Sequence, residues 1–185
     1  MPRTYRNALV ALVIGAVLLL LGYSMPWALV AIPMVSGGPA STQVELSGHD
    51  IASLASVAGW LAAAGLAGII ATRTLGRVII GAIVAIAGAG SLVASVWFAV
   101  GSAELVKAAA ESHAGETLAE LGDYSITWWW IPTLIGSLLV LAAGLLTCAR
   151  GRTWPGLGRK YERTTTRQLT DWQALDQGQD PTLEA

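Results

Sequence analysis

Apolar and polar residues are segregated along this chain in long blocks. Four stretches carry no Asp, Glu, Lys or Arg: Asn7 to Val44, Ile51 to Thr72, Val78 to Ala103 and Tyr124 to Ala149, of 38, 22, 26 and 26 residues. The hydrocarbon core of a bilayer, about 30 Å thick, needs roughly 20 helical residues at about 1.5 Å each. The pattern therefore predicts four transmembrane helices, with cores at about 8–26, 51–71, 78–100 and 128–149. Buried soluble helices do not account for it, because a chain of 185 residues cannot hide three further helices that are apolar on every side. Arg3 and Arg6 before the first run suit a cleavable signal peptide, but no small-x-small site follows. Tyr23, Ser24, Met25, Pro26 and Trp27 read instead as a helix ending at a membrane interface. The expected architecture is an all-α integral membrane protein, with a four-helix transmembrane domain over 1–149 and a tail over 150–185.

The basic residues orient it. Arg3 and Arg6 precede the first helix, Arg73 and Arg77 lie in the short Thr72 to Arg77 turn, and Arg150, Arg152, Arg159, Lys160, Arg163 and Arg167 follow the last helix; only Lys107 lies on the other side. By the positive-inside rule both termini are cytoplasmic, and the segments at about 27–50 and 101–125 are outside. The expected location is the cytoplasmic membrane of a bacterium, with the lipid bilayer as the first partner.

Composition narrows the function. Only 12% of residues are charged against 54% hydrophobic, about half the charge of an ordinary soluble domain. A net charge of -1 excludes the broad cationic surface that binds nucleic acid nonspecifically. One cysteine, Cys148, excludes an intrachain disulfide and any CxxC metal site; it reads as a small packing residue, with palmitoylation as the alternative. Pumps, carriers and intramembrane enzymes keep ionisable residues in their spans, and the four predicted cores have none. With no nucleophile, base and orienting group close together and no phosphate loop, neither catalysis nor a cofactor is expected.

Tryptophan prefers the headgroup level. Trp27, Trp97, Trp128, Trp129 and Trp130 map to outer helix ends and are expected as membrane-interface anchors. Trp154 maps to the inner end, and Trp60 lies within a span. The Trp128 to Trp130 run reads as an aromatic girdle rather than a ligand platform. In lipid, small residues let helices approach closely. Ala55, Gly59, Ala63 and Ala67 on the second helix and Gly81, Ala85 and Ala89 on the third, with Gly90 and Ala94 alongside, are expected to join that pair. Ser56, Ser91, Ser95 and Ser137 are expected as interhelical hydrogen-bonding residues.

Outside the spans, Glu104, Lys107 and Glu111 stand at i, i+3 and i+7, so the segment after Ser102 reads as a helical extension. His113 with Glu116 and Glu120 offers ligand types for a metal, but Gly115 interrupts the helix and no second histidine is near; a solvated face is expected. His49 beside Asp50 reads as a surface pair. In the tail, Pro155, Gly156 and Gly158 stop the helix, and Thr170 with Gln173 fits a capping box for a short helix carrying Trp172 and Leu175. A helix that short orders by docking on another surface.

Two tail segments carry a resemblance: Arg152-Thr-Trp154-Pro155-Gly156-Leu-Gly158-Arg159-Lys-Tyr161, and Asp171-Trp172-Gln-Ala174-Leu175-Asp176-Gln-Gly178-Gln-Asp180-Pro181-Thr182. With the span count and the Trp-rich start of the fourth helix, the chain resembles the bacterial tryptophan-biosynthesis-associated membrane proteins. That resemblance implies an association with the pathway and assigns no activity to any residue. Trp154, Pro155, Gly156, Arg159, Tyr161, Trp172, Leu175 and Asp176 are the candidate partner contacts. The expected function is a non-enzymatic scaffold or modulator acting through its tail on a cytoplasmic protein, such as a tryptophan-pathway enzyme. The alternative is a small transporter or transporter subunit for tryptophan or a related aromatic compound, with Trp60 near its route. A homo-oligomer is compatible with either.

Overall fold

A computed structural model describes residues 3–33, 41–114 and 123–154. Helix α1 spans Arg3–Ser24, strands β1 and β2 span Pro26–Pro33 and Ser41–Ser47, and the short α2 spans Gly48–Ile51. Then come α3 (Ser53–Ala71), α4 (Leu75–Ala114), β3 (Tyr124–Ile126), α5 (Trp130–Arg150) and a 3-10 turn, Gly151–Thr153. Helices α1, α3, α4 and α5 are long and apolar enough to cross a membrane. They close a bundle in the cyclic order α1, α3, α4, α5.

The expectation of an all-α chain is corrected at one end of this bundle. There β2, β1 and β3 form an antiparallel sheet with β1 in the centre, its Val30 facing Val44 of β2 and Tyr124 of β3. Pro26 has no amide hydrogen to continue α1. Beyond the span, backbone groups need partners outside a helix, and the sheet supplies them. The alternation Gln43-Val44-Glu45-Leu46 is a half-buried strand pattern: Gln43 and Glu45 are exposed and Leu46 is buried. Helix α4 does continue past the third predicted span. It bends at Gly101 (φ −125°, ψ 38°), and this turns Val106, Ala109 and Ala110 into the core, while Lys107 and Glu111 pair at 3.9 Å on the solvent side.

Glycines set the helix separations. A Cβ on Gly144 would lie 2.5 Å from the Ala85 amide nitrogen, and one on Gly88 would lie 2.6 Å from that of Leu141, so α4 and α5 approach backbone to backbone. Gly15 and Gly136 face one another across α1 and α5 in the same way. Gly81 and Ala85 therefore serve the α4–α5 contact and not the α3–α4 contact expected of them. Against α3, helix α4 presents Val84 to Gly65 and Ile80 to Gly68, and Gly59 faces Leu20 of α1. Cys148 fills a part-buried position on α5, where its Sγ lies 3.5 Å from the Val78 carbonyl oxygen of α4.

Candidate functional site

The first and last described segments meet at the bundle end away from the sheet, around Arg77. This residue lies in the first turn of α4, which starts after a three-residue turn from α3, and its side chain is buried. Its Nε donates to the carbonyl of Ile69 at 3.0 Å, one of the last-turn carbonyls of α3 that has no partner within its own helix. Thr72 satisfies another, donating from N and Oγ1 to Gly68 at 2.9 and 2.7 Å. Nη1 of Arg77 donates to the carbonyl of Trp154 at 3.1 Å. The guanidinium carbon lies 5.7 Å from the centroid of the Tyr5 ring, and Tyr5 meets the Trp154 indole edge-on at 5.1 Å and 66°. One cation thus joins α1, the end of α3, the start of α4 and the segment leaving α5. Burying such a charge is tolerable only where its donors are used, as they are here.

Trp154 itself is corrected from an interface anchor and partner contact to an internal residue: it is 6% exposed. The planar guanidinium of Arg77, with its fixed fork of donors, suits it to this task, which a lysine ammonium cannot copy. The other expected tail contacts, Pro155, Gly156, Arg159, Tyr161, Trp172, Leu175 and Asp176, lie outside the described residues, as do the Thr170–Gln173 box, Glu116 and Glu120.

The sheet end is organised by Trp27, which is corrected from a membrane-interface anchor to a core residue. It is fully buried, stacked on Tyr23 at 5.3 Å and tilted on Phe98 at 4.8 Å, and its Nε1 donates to the Gly22 carbonyl at 2.8 Å. That bond caps the end of α1, and Gly48 admits the ring, because a Cβ there would lie 2.6 Å from Nε1. Below it, the Tyr23 hydroxyl and Ser91 Oγ are 3.0 Å apart, joining α1 to α4. Ser95 and Ser137 bond within their own helices, to the carbonyls of Ser91 and Leu134. Trp97 and Trp128 are 62% and 61% exposed at this end, and Trp129 and Trp130 are half-buried, with Trp128 stacked on Trp129 at 4.4 Å.

His49 is not simply a surface neighbour of Asp50. Its Nδ1 lies 2.7 Å from Ser56 Oγ, which spends its own hydrogen on the Ser53 carbonyl at 2.7 Å, so Nδ1 is the donor to Ser56. Asp50 caps α2 instead, accepting from the Ser47 amide and hydroxyl at 2.9 and 2.6 Å. Burial of this carboxyl raises its pKa, but those two bonds, with the charges of His113 and His49, outweigh burial and hold it below the usual carboxylate range. Among the described residues no group of three or more His, Cys, Asp or Glu side chains is placed to hold a metal.

A groove of about 470 Å³ opens between α3 and α4, lined by Leu54, Ala58, Leu61, Gly90, Ser91 and Ala94 among others. Trp60, expected near a transport route, is outside it and 69% exposed.

A sequence model of the tryptophan-associated transmembrane proteins matches residues 9–182. The chain belongs to that family. With four helices long and apolar enough to cross a bilayer, it is a multi-pass membrane protein associated with tryptophan. No curated protein is significantly similar to it. The match extends through both tail segments that carried the resemblance and through the Arg77 and Trp154 positions. In the sequence alone Arg77 reads only as a topology marker, and nothing there distinguishes Tyr5. The signal is there in part, since a basic residue in the first turn of a helix that starts only three residues after another ends is placed to cap it.

Proposed function

We propose that this protein is a non-enzymatic membrane scaffold or modulator whose tail contacts a cytoplasmic partner, an enzyme of tryptophan biosynthesis. The observation that carries this reading is the Arg77 lock: the membrane bundle does not merely precede the tail but fixes the residue, Trp154, from which the tail departs. A scaffold needs a defined origin for its binding segment, because the effective concentration of a tethered segment depends on where it is anchored.

In this reading the Arg77 end faces the cytoplasm of a bacterium. Ten of the eleven basic residues map to that side, and Tyr5 touching Trp154 puts both described chain ends there together. Trp97 and Trp128 then sit at the outer interface as anchors. Uncharged span cores support the scaffold over a carrier or pump, in which ionisable groups move ions or protons. A photo-crosslinking amino acid at Trp172 in living cells tests the proposal. The expected result is a discrete adduct with a tryptophan-pathway enzyme. No protein adduct, together with tryptophan flux in proteoliposomes of the pure protein, would replace the scaffold with the transporter.

A further inference from the structure

The charged residues divide between the two ends of the bundle. All the carboxylates of the described residues, Glu45, Asp50, Glu104, Glu111 and Asp123, lie at the sheet end or on the α4 extension beside it. Among the described residues the opposite end carries only cations. Arg3 and Arg6 on α1, Arg150 on α5 and Arg152 in the 3-10 turn are exposed there, and among the described residues none of these four has an ion-pair partner. Their setting increases the demand for an anion. The first turn of α1 holds no acid to offset the positive end of the helix dipole, and it holds arginine instead. The free amides of a helix start favour the same kind of ligand.

Packing brings the cations of α1 and α5 to one corner. A Cβ on Gly22 would meet Thr133 and one on Gly15 would meet Val140, so the two helices run antiparallel in a single register. Carried on from Gly15 and Val140, that register sets Tyr5 level with Arg150, and Arg3 and Arg6 flank Tyr5 in the chain. The edge-on contact of Tyr5 with Trp154 brings the start of α1 and the segment leaving α5 together in the same way. Towards the middle of the bundle the exposed surface of this helix pair turns apolar. Val10 and Ile14 continue from Arg3 at helical spacing on α1, and Leu146 stands one turn before Arg150 on α5. Both helices are long and apolar enough to cross a bilayer. Unpaired cations above an exposed apolar furrow match a molecule with an anionic head and hydrocarbon chains.

We propose that this α1–α5 corner is a binding site for one anionic phospholipid, its phosphodiester held by Arg3, Arg6, Arg150 and Arg152 and an acyl chain lying along Val10, Ile14 and Leu146. Arginine suits the task. Its planar fork takes two phosphate oxygens at once through charge-assisted hydrogen bonds, which fixes a headgroup in place where a point charge only attracts it. Basic sites beside transmembrane helices recognise anionic headgroups by the same chemistry, at about a fivefold gain in binding per cation. The site needs no protein partner, so it stands or falls apart from the scaffold reading.

Native mass spectrometry of the full-length protein, released from micelles holding equal amounts of phosphatidylglycerol and phosphatidylcholine with identical acyl chains, tests this. The unaltered chain should retain one phosphatidylglycerol at least about tenfold over phosphatidylcholine. Arg3→Gln combined with Arg150→Gln should lower that preference at least about tenfold, since two cations are gone. Lys107→Gln, at the sheet end, should leave it unchanged. Millimolar glycerol phosphate, which has the anion without the chains, should not displace the lipid. A second measurement on the unaltered protein covers the case in which the double variant does not fold. Phosphatidylglycerol with a photoreactive acyl chain should label α1 around Val10 and Ile14 and α5 around Leu146 in preference to α3. Equal retention of the two lipids, the result if carboxylates of residues 155–185 occupy the cations, would overturn the proposal. So would an unchanged preference in the folded double variant, displacement by glycerol phosphate, or labelling spread evenly over the four long helices.

Discussion

Arg77 occupies a position that helix electrostatics alone disfavours. It lies in the first turn of α4, where the helix dipole presents partial positive charge, yet the same side chain reaches the negative end of α3 and the Trp154 carbonyl. Hydrogen bonds from a charged donor contribute about 1.5–3 kcal/mol each, against typically 0.3–1 kcal/mol for a dipole interaction, so the capping role wins. Trp27 and Trp97 show how one residue type divides by surroundings. Trp27→Ala should destabilise the protein by about 3–5 kcal/mol, the usual cost of emptying a buried tryptophan site. Trp97→Ala should stay within about 0.5 kcal/mol. Unfolding in nanodiscs measures both, and equal small effects would return Trp27 to the membrane interface. Asp50 makes a pH-dependent contribution. Because its folded pKa is depressed, its stabilisation is present above the unfolded carboxylate value of about 4 and is lost as pH falls below that through the folded value. Asp50→Asn should therefore be less stable than the unaltered chain at pH 7, and the gap should close on acidification. The carboxyl is largely exposed, so the gap is small.

At the scale of elements, glycine does opposite things on the two sides of α4. Gly144→Ala must push α5 off the Ala85 backbone and should cost about 1–3 kcal/mol, as overpacking does. At Gly90 a Cβ meets nothing within 4 Å, and Gly90→Ala should be neutral or raise stability by up to about 1 kcal/mol through helix propensity. Thermal unfolding of the two variants side by side checks the packing. The spans themselves were legible in the sequence because absence of charge is a local property that membrane insertion requires. The sheet was not, because β1 lies inside the same 38-residue uncharged stretch that holds most of α1, with only Met25 between the two and Pro26 opening the strand. Nor was the partner of each small-residue stripe. Four-residue spacing marks a face of a helix but does not name the helix it meets, and Gly81 and Ala85 turned out to face α5. Arg77 was hidden for a similar reason: its worth depends on carbonyls eight and 77 positions away.

Over the whole molecule, the two ends of the bundle are built differently. The sheet end is closed by Trp27, the strands and the bent extension of α4. The opposite end gathers the N-terminal helix, the α3–α4 turn and the root of the tail on one arginine. The family's association with tryptophan gives this end its interest, since the part of the chain it presents is the part that carries the tail. The bundle holds the root of the tail at Trp154. Hydrogen exchange of the full chain in nanodiscs, followed at the peptide covering residues 150–154, tests it most directly. The account predicts slow exchange there that becomes at least about tenfold faster in Arg77→Gln, a loss of about 1.4 kcal/mol of local protection, while the α5 core stays protected. Fast exchange at 150–154 in the unaltered protein, or no change in Arg77→Gln, would contradict it.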